Sequence, residues 1–216
     1  MKSQVRGGTR WKRFAVVMVP SVAATAAIGV GLAQGALAAS FSISGQEFKV
    51  KADSLVGNDF VQYGSIASGK TLEGKPFAEP VGVSGFSEAW ITNMCQSVVT
   101  PNVPFIGNVS LELRAGTEGA KDPNKRVYAK DIYLDVSSLK ADAEFGNIDI
   151  GVAAGSLKDP GIQPGTQANP YGFSQRAKTA KLDNVEQKAW ATTAGTFRLP
   201  DLSLKLHKGT KECFTE

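Results

Sequence analysis

Apolar and polar side chains alternate with a period of two through most of the sequence after residue 40, and that periodicity admits a β-sheet and little else. In residues 108–114, Val109, Leu111 and Leu113 face one way, and Ser110, Glu112 and Arg114 the other. Residues 41–50, 127–136, 145–150 and 196–199 continue the theme, the first as strand, turn near Gly45, and strand. In the tail, the alternation places Leu202, Leu204 and Leu206 toward the core and Ser203, Lys205 and His207 toward solvent. Nothing in the chain reads as a long amphipathic helix. The expected fold is therefore all-β and mainly antiparallel: one sandwich-like or layered domain over residues 40–216. A faint echo, Ala129-Lys130 with Leu134-Asp135 against Ala177-Lys178 with Leu182-Asp183, keeps a β-solenoid-like arrangement as an alternative.

Turn chemistry separates the strands. Residues 115–124, with Gly116, Gly119 and Pro123, read as a long hairpin loop. Residues 158–176 form the longest stretch without a pattern, carrying Pro160, Pro164 and Pro170, and read as a surface insertion.

The N-terminus has a different physics. Residues 1–13 hold Lys2, Arg6, Arg10, Lys12 and Arg13 and no acidic residue, and residues 14–39 carry no charge at all. A basic flank, an apolar run and a small-residue exit at Ala36-Leu37-Ala38-Ala39 have the layout of a secretory signal. The run also reaches the roughly 20 residues that span a bilayer. Cleavage after Ala38 or Ala39 is favoured over a retained anchor, because Pro20 interrupts the run and leucine is scarce in it. If it stays uncleaved, residues 14–39 make the membrane contact. Either way the positive flank stays inside, and the rest is expected outside the cytoplasmic membrane, secreted or anchored.

Export changes the meaning of the charge. The chain has 24 basic and 20 acidic residues; without residues 1–39 the basic count falls by five to 19, a net charge of −1. No basic footprint for nucleic acid is left. Cys95 and Cys213 are the only cysteines, and in an oxidising compartment they are expected to form a disulfide tying the C-terminus to mid-chain. Closing a loop of that size is worth at most about 4–5 kcal/mol in the chain-entropy account. Two cysteines and one histidine cannot build a structural zinc site.

Chemistry is sparse. The nearest approach to a nucleophile elbow is Gly82-Val-Ser84-Gly-Phe86, with Phe86 where the last glycine belongs. A triad would need Ser84, His207 (the one histidine) and Asp183 or Asp201, which makes Ser84 and His207 weak catalytic candidates. Asp142 and Glu144 share a strand face, with Asp131, Asp135 and Asp149 nearby, and read as a solvated surface. No calcium loop and no phosphate-cradling glycine loop is present, so no cofactor or metal is called for. Trp90 and Trp190 read as packing aromatics.

Four stretches, taken together, resemble an uncharacterised family of exported actinobacterial proteins, some labelled "cholesterol esterase". They are Thr9-Arg-Trp-Lys-Arg-Phe14, residues 39–48 beginning Ala-Ser-Phe, Asn93-Met-Cys95-Gln-Ser, and Ala194-Gly-Thr-Phe-Arg-Leu199 leading to Glu212-Cys213-Phe214. The resemblance implies export and a shared fold, and it brings no catalytic residue. The expected function is a non-enzymatic binding or structural role in the cell envelope, toward a partner protein, a wall component or a lipid. The alternatives are a lipid or sterol ester hydrolase and a carrier of an apolar ligand.

Overall fold

The structure is a computed structural model, and it describes residues 43–215. The expected leader, residues 1–39, lies outside them. Among the described residues there are nine strands and two single-turn 3-10 helices: β1 (Ile43–Ser44), β2 (Phe48–Lys70), β3 (Pro76–Thr92), β4 (Met94–Val103), β5 (Gly107–Ala115), β6 (Val127–Ala153), β7 (Phe173–Thr193), β8 (Thr196–Arg198) and β9 (Ser203–Lys208). All-β and mainly antiparallel describes it. Within that class the arrangement is neither a two-sheet sandwich nor a solenoid. One sheet runs β3-β6-β7-β2-β4-β5-β9, and an additional β2–β3 pairing closes its first four strands into a barrel. The two echoing segments lie on β6 and β7, ordinary antiparallel barrel strands, and are not stacked coils.

The barrel strands are 17 to 27 residues long, three or more times a usual strand. Strands this long stay in a small domain only by bending, and the bends are written in Asp and Asn. Asp59 on β2 and Asp131 and Asn147 on β6 have φ of 50–53°, the left-handed region that short polar side chains tolerate best. The register sets these three in one row across the sheet, with Lys178 of β7 and Ser87 of β3 between them. The row is tied by Ser87 Oγ donating to Asp59 Oδ2 (2.8 Å) and by Lys178 Nζ on Asp59 Oδ1 (3.5 Å). A second row passes through Asn184 (φ 54°), Asp53 and Asn93 (φ 51°), where Asn93 Nδ2 donates to Asp53 Oδ2 (3.0 Å) and Asn184 Nδ2 to Asp142 Oδ2 (2.8 Å).

Each row resets the alternation. On β2 the residues facing the barrel interior are Val50 and Ala52, then Leu55, then Phe60; on β7 they are Val185, then Leu182 and Ala180, then Ala177. Parity changes at residues 53 and 59 and again at 184 and 178. β2 curls so far that its last residues pair in parallel with β1, Ile43↔Gly69 and Ser44↔Lys70. The strand, turn near Gly45 and strand expected over residues 41–50 are present from Ile43 on, and β1 pairs with the far end of β2, not with its start. At Gly45 a Cβ would run into the Thr71 backbone, so this closure requires glycine.

Two apolar clusters result. The larger fills the barrel, with Phe60 against Phe86 (5.2 Å between ring centres) and Phe145 (5.1 Å). The smaller lies outside the sheet, where Val61, Tyr63, Val81 and Val83 are covered by Ala154, Leu157, Ile162 and Ala168. The stretch read as a surface insertion is thus a strap over a second core. It is pinned by Gln163 N donating to Tyr63 Oη (2.8 Å) and Tyr133 Oη donating to Gly161 O (3.2 Å). Burial pushes the Tyr63 hydroxyl up to about 12. Trp190 stacks on Phe77 (4.8 Å) beside this cluster, and Trp90 packs on Tyr128 (5.7 Å). The 115–124 segment, read as a hairpin loop, is corrected: β5 pairs with β4 and β9, and β6 with β3, β7 and β8. A hairpin was expected because the flanking alternation is clean on both sides, and alternation carries no information about partners.

Candidate functional site

β3 passes into β4 at Asn93, so the interior face of the barrel runs on without a break. Past the parity change it carries Met94, Gln96 and Val98. Register then extends it in two rows, Gln96↔Leu113↔Leu204 and Val98↔Leu111↔Leu206. On this three-stranded wing, β4-β5-β9, nothing among the described residues covers the face. Leu204 is 57% exposed and Leu206 69%, with Leu202 and Phe197 exposed beside them. The sequence reading of the tail is corrected here. The leucines do lie on the interior side, but beyond the reach of the barrel, while Ser203 and His207 are half-buried on the other side.

That other side is held by polar contacts. Glu112 is buried between Arg114 (Nε to Oε1, 2.6 Å) and Lys211 (Nζ to Oε2, 3.0 Å), with His207 Nε2 at 3.6 Å. Hydrogen bonds from Arg114, then Lys211, hold its carboxyl down to about 2. Residues 209–214 lie across this face. Ser110 Oγ donates to Gly209 O (2.7 Å), Lys211 N to Ser110 Oγ (2.8 Å) and Cys213 N to Ser97 Oγ (3.0 Å), while Lys49 pairs with Glu212 (2.9 Å). The disulfide between Cys95 and Cys213, 118 residues apart with Cα atoms 5.8 Å from each other, locks the tail down. The expected cysteine pair is present.

A cavity of about 220 Å³ opens in the barrel interior. β3 and β6 pair only from Gly82↔Val136 to Ile91↔Val127. Beyond Val136, β6 continues beside β7 alone, and its Leu139, Ala141 and Phe145 line the gap this leaves. Leu55, Leu134, Val185 and Gln187 also line a smaller space of about 30 Å³ that reaches Gln96 and Phe197 at the root of the wing. An apolar surface therefore runs from the cavity to the exposed leucines.

Ser84 lies in this cavity, 5% exposed. Gln62 Nε2 donates to its Oγ (3.1 Å), and Gln175 Nε2 donates to Gln62 Oε1 (2.6 Å). An amide cannot take the serine proton, and no histidine or carboxylate lines the space. β2, β4 and β5 separate the strand of Ser84 from that of His207. The structure does not bring the two together. Asp183 pairs with Lys181 (2.7 Å) and Asp201 with Lys125 (3.5 Å), so neither orients His207. Asp142 and Glu144 stand exposed on β6, as expected of a solvated face. Among the described residues no cluster of His, Cys, Asp or Glu could hold a metal, and no helix is long and apolar enough to cross a membrane.

A wider cleft of about 580 Å³ lies between β2, β6, β7 and the strap. Four of its charges pair with one another, Arg176 with Asp149 (2.9 Å) and Lys178 with Asp59 (3.5 Å), and it is open to solvent. It has the character of a salt-bridged surface, whereas the smaller cavity has the apolar lining and few convergent polar groups of a ligand site.

Sequence reasoning singled out Ser84 from a motif fragment and missed Gln187, Gln62 and the leucine face. The signal for Gln187 was a polar residue, Gln187, sharing a parity with Val185 and Ala189, which are both core residues. No curated protein and no solved structure matches the chain. Residues 44–214, nearly all of the barrel and wing, match the model of a family of unknown function, DUF6230, and the chain belongs to that family.

Proposed function

We propose that this protein is exported and acts outside the cytoplasmic membrane as a non-enzymatic binding module for an apolar chain, most simply the chain of an envelope lipid. One observation carries the reading: the lining of the barrel cavity continues through Gln96 and Phe197 onto the uncovered face of Leu204 and Leu206. A patch of this kind marks an interaction site. Its continuity with a cavity favours an occupant that is long and thin and lies partly in each. About 220 Å³ is below the range of drug-sized pockets but exceeds the roughly 150 Å³ in which an apolar cavity takes up benzene, so it suits one segment of one chain.

Export is supported by the basic flank and uncharged run of residues 1–39 and by the disulfide. A binding role is favoured over ester hydrolysis by the surroundings of Ser84, whose hydroxyl meets an amide where a hydrolase would place a base.

Native mass spectrometry on the non-reduced protein recovered from its own host's envelope and medium tests the reading. The expected result is a mass shortened near Ala38 or Ala39, two hydrogens light, carrying a reproducible lipid adduct that solvent extraction identifies. Protein that never carries lipid, and takes none up from mixed host lipids, would overturn it.

A further inference from the structure

The polar groups inside the cavity restrict what the bound chain can carry. Gln187 is only 6% exposed and lines both the cavity and its extension toward the wing. Its side-chain amide makes no hydrogen bond to the described residues, yet it is not sealed inside the protein and keeps access to the space it lines. An amide so placed can both donate to and accept from whatever enters. Ser84 keeps bonding capacity in the same way. Its oxygen accepts from Gln62, and among the described residues its proton has no acceptor, so the O–H can donate into the cavity. One amide and one hydroxyl thus converge on an otherwise apolar space.

None of the residues lining that space is ionisable: besides Gln62, Ser84 and Gln187 they are Leu, Phe, Ala and Val. A carboxylate or phosphate drawn in here would lose its hydration without meeting a cation, which is far costlier than burying a neutral polar group that finds hydrogen bonds. Resting on the lipid-binding reading, we infer that the ligand is an uncharged lipid whose one polar group, an ester, amide or hydroxyl, enters the cavity and bonds to Gln187 and Ser84. The apolar remainder lies along Leu139 and Phe145 at the gap or across the wing. The hydroxyl donates to a ligand carbonyl, and the Gln187 amide both donates and accepts, so a group with an acceptor and a donor, such as a glycerol ester, matches both.

Isothermal titration calorimetry of the full non-reduced chain decides this, with a medium-chain monoacylglycerol and the fatty acid of the same chain length at pH 8, where the acid is ionised. The neutral lipid is expected to bind at least about tenfold more tightly. Gln187→Leu, which keeps the volume and removes the amide, is expected to weaken the neutral lipid about tenfold and leave the acid nearly unchanged. Equal or tighter binding of the acid by the wild-type chain overturns the inference while leaving lipid binding intact. So does a folded Gln187→Leu chain with an unchanged preference. Binding of neither lipid overturns this inference and the reading beneath it together. The wild-type ratio decides even if the variant fails to fold.

Discussion

The barrel and the wing share one interior face, and they are stabilised in opposite ways. In the barrel that face closes on itself, so Phe86, Ile132 and Val127 lose almost all contact with water, and burial of this kind contributes about 1.5–3 kcal/mol per large apolar side chain. In the wing the same face of the same sheet has nothing opposite it among the described residues, and Leu204 and Leu206 add little to stability. The wing is instead held from behind by serine hydroxyls, the Glu112 ion cluster and a disulfide-locked tail. An apolar face can therefore be kept open only where a polar face does the holding.

Truncating the barrel side should hurt most. Phe86→Ala is expected to lower stability by about 3–5 kcal/mol, read as a shift of the urea midpoint, because Phe86 fills the space between Phe60 and Gly57. A loss below about 1 kcal/mol would mean that the barrel is not the stability centre. Cys95→Ala with Cys213→Ala is expected to cost about 2–5 kcal/mol. Hydrogen exchange should then rise first in residues 209–214 and β9, with β2 and β7 still protected. Loss of protection in both regions together would show that wing and barrel unfold as one unit.

Glu112 gives the wing a pH dependence of its own. Its folded pKa, about 2, lies below the ordinary value of 4.5, so the unfolded chain binds the extra proton between those limits. The stability Glu112 supplies is complete above about pH 4.5 and is lost as pH falls toward 2. Glu112→Gln should cost about 1–3 kcal/mol at neutral pH and flatten that part of the stability–pH profile. An unaltered slope would place the acid sensitivity elsewhere. The smallest effect is expected from Leu204→Ser with Leu206→Ser: stability within about 0.5 kcal/mol of wild type, with weaker uptake of host lipid. A large loss of stability would mean that the leucines are covered in the native protein.

Several misreadings share one cause. Alternation within a strand tells which residues share a face, and for β5 and β9 it did so correctly. Leu111, Leu113, Leu204 and Leu206 are on one side, and Glu112 and His207 are on the other. What it cannot tell is whether that side is covered, because cover comes from strands distant in sequence. The tail leucines were placed in the core for that reason, and His207 in solvent. Strand partners were hidden for the same reason, at residues 41–50 and 115–124. The left-handed Asp59, Asp131, Asn147 and Asn184 fall inside strands, where they look like ordinary polar residues, so the short segments predicted at 127–136 and 145–150 turn out to be parts of one long, creased strand.

Composition and local pattern alone determined the all-β class, the turn at Gly45, the solvated Asp142 and Glu144 of β6 (though not Asp135, which is half-buried) and the single possible cysteine pair, since these depend on neighbours a few residues apart or on there being only two cysteines. The tertiary structure alone decided that the sheet closes into a barrel, that the 158–176 segment straps a second core, that Ser84 and His207 sit apart, and that an amide and a hydroxyl meet in an apolar cavity. Each of those is a juxtaposition of residues roughly 20 to more than 100 positions apart, fixed by strand register and curvature, to which short-range periodicity is blind.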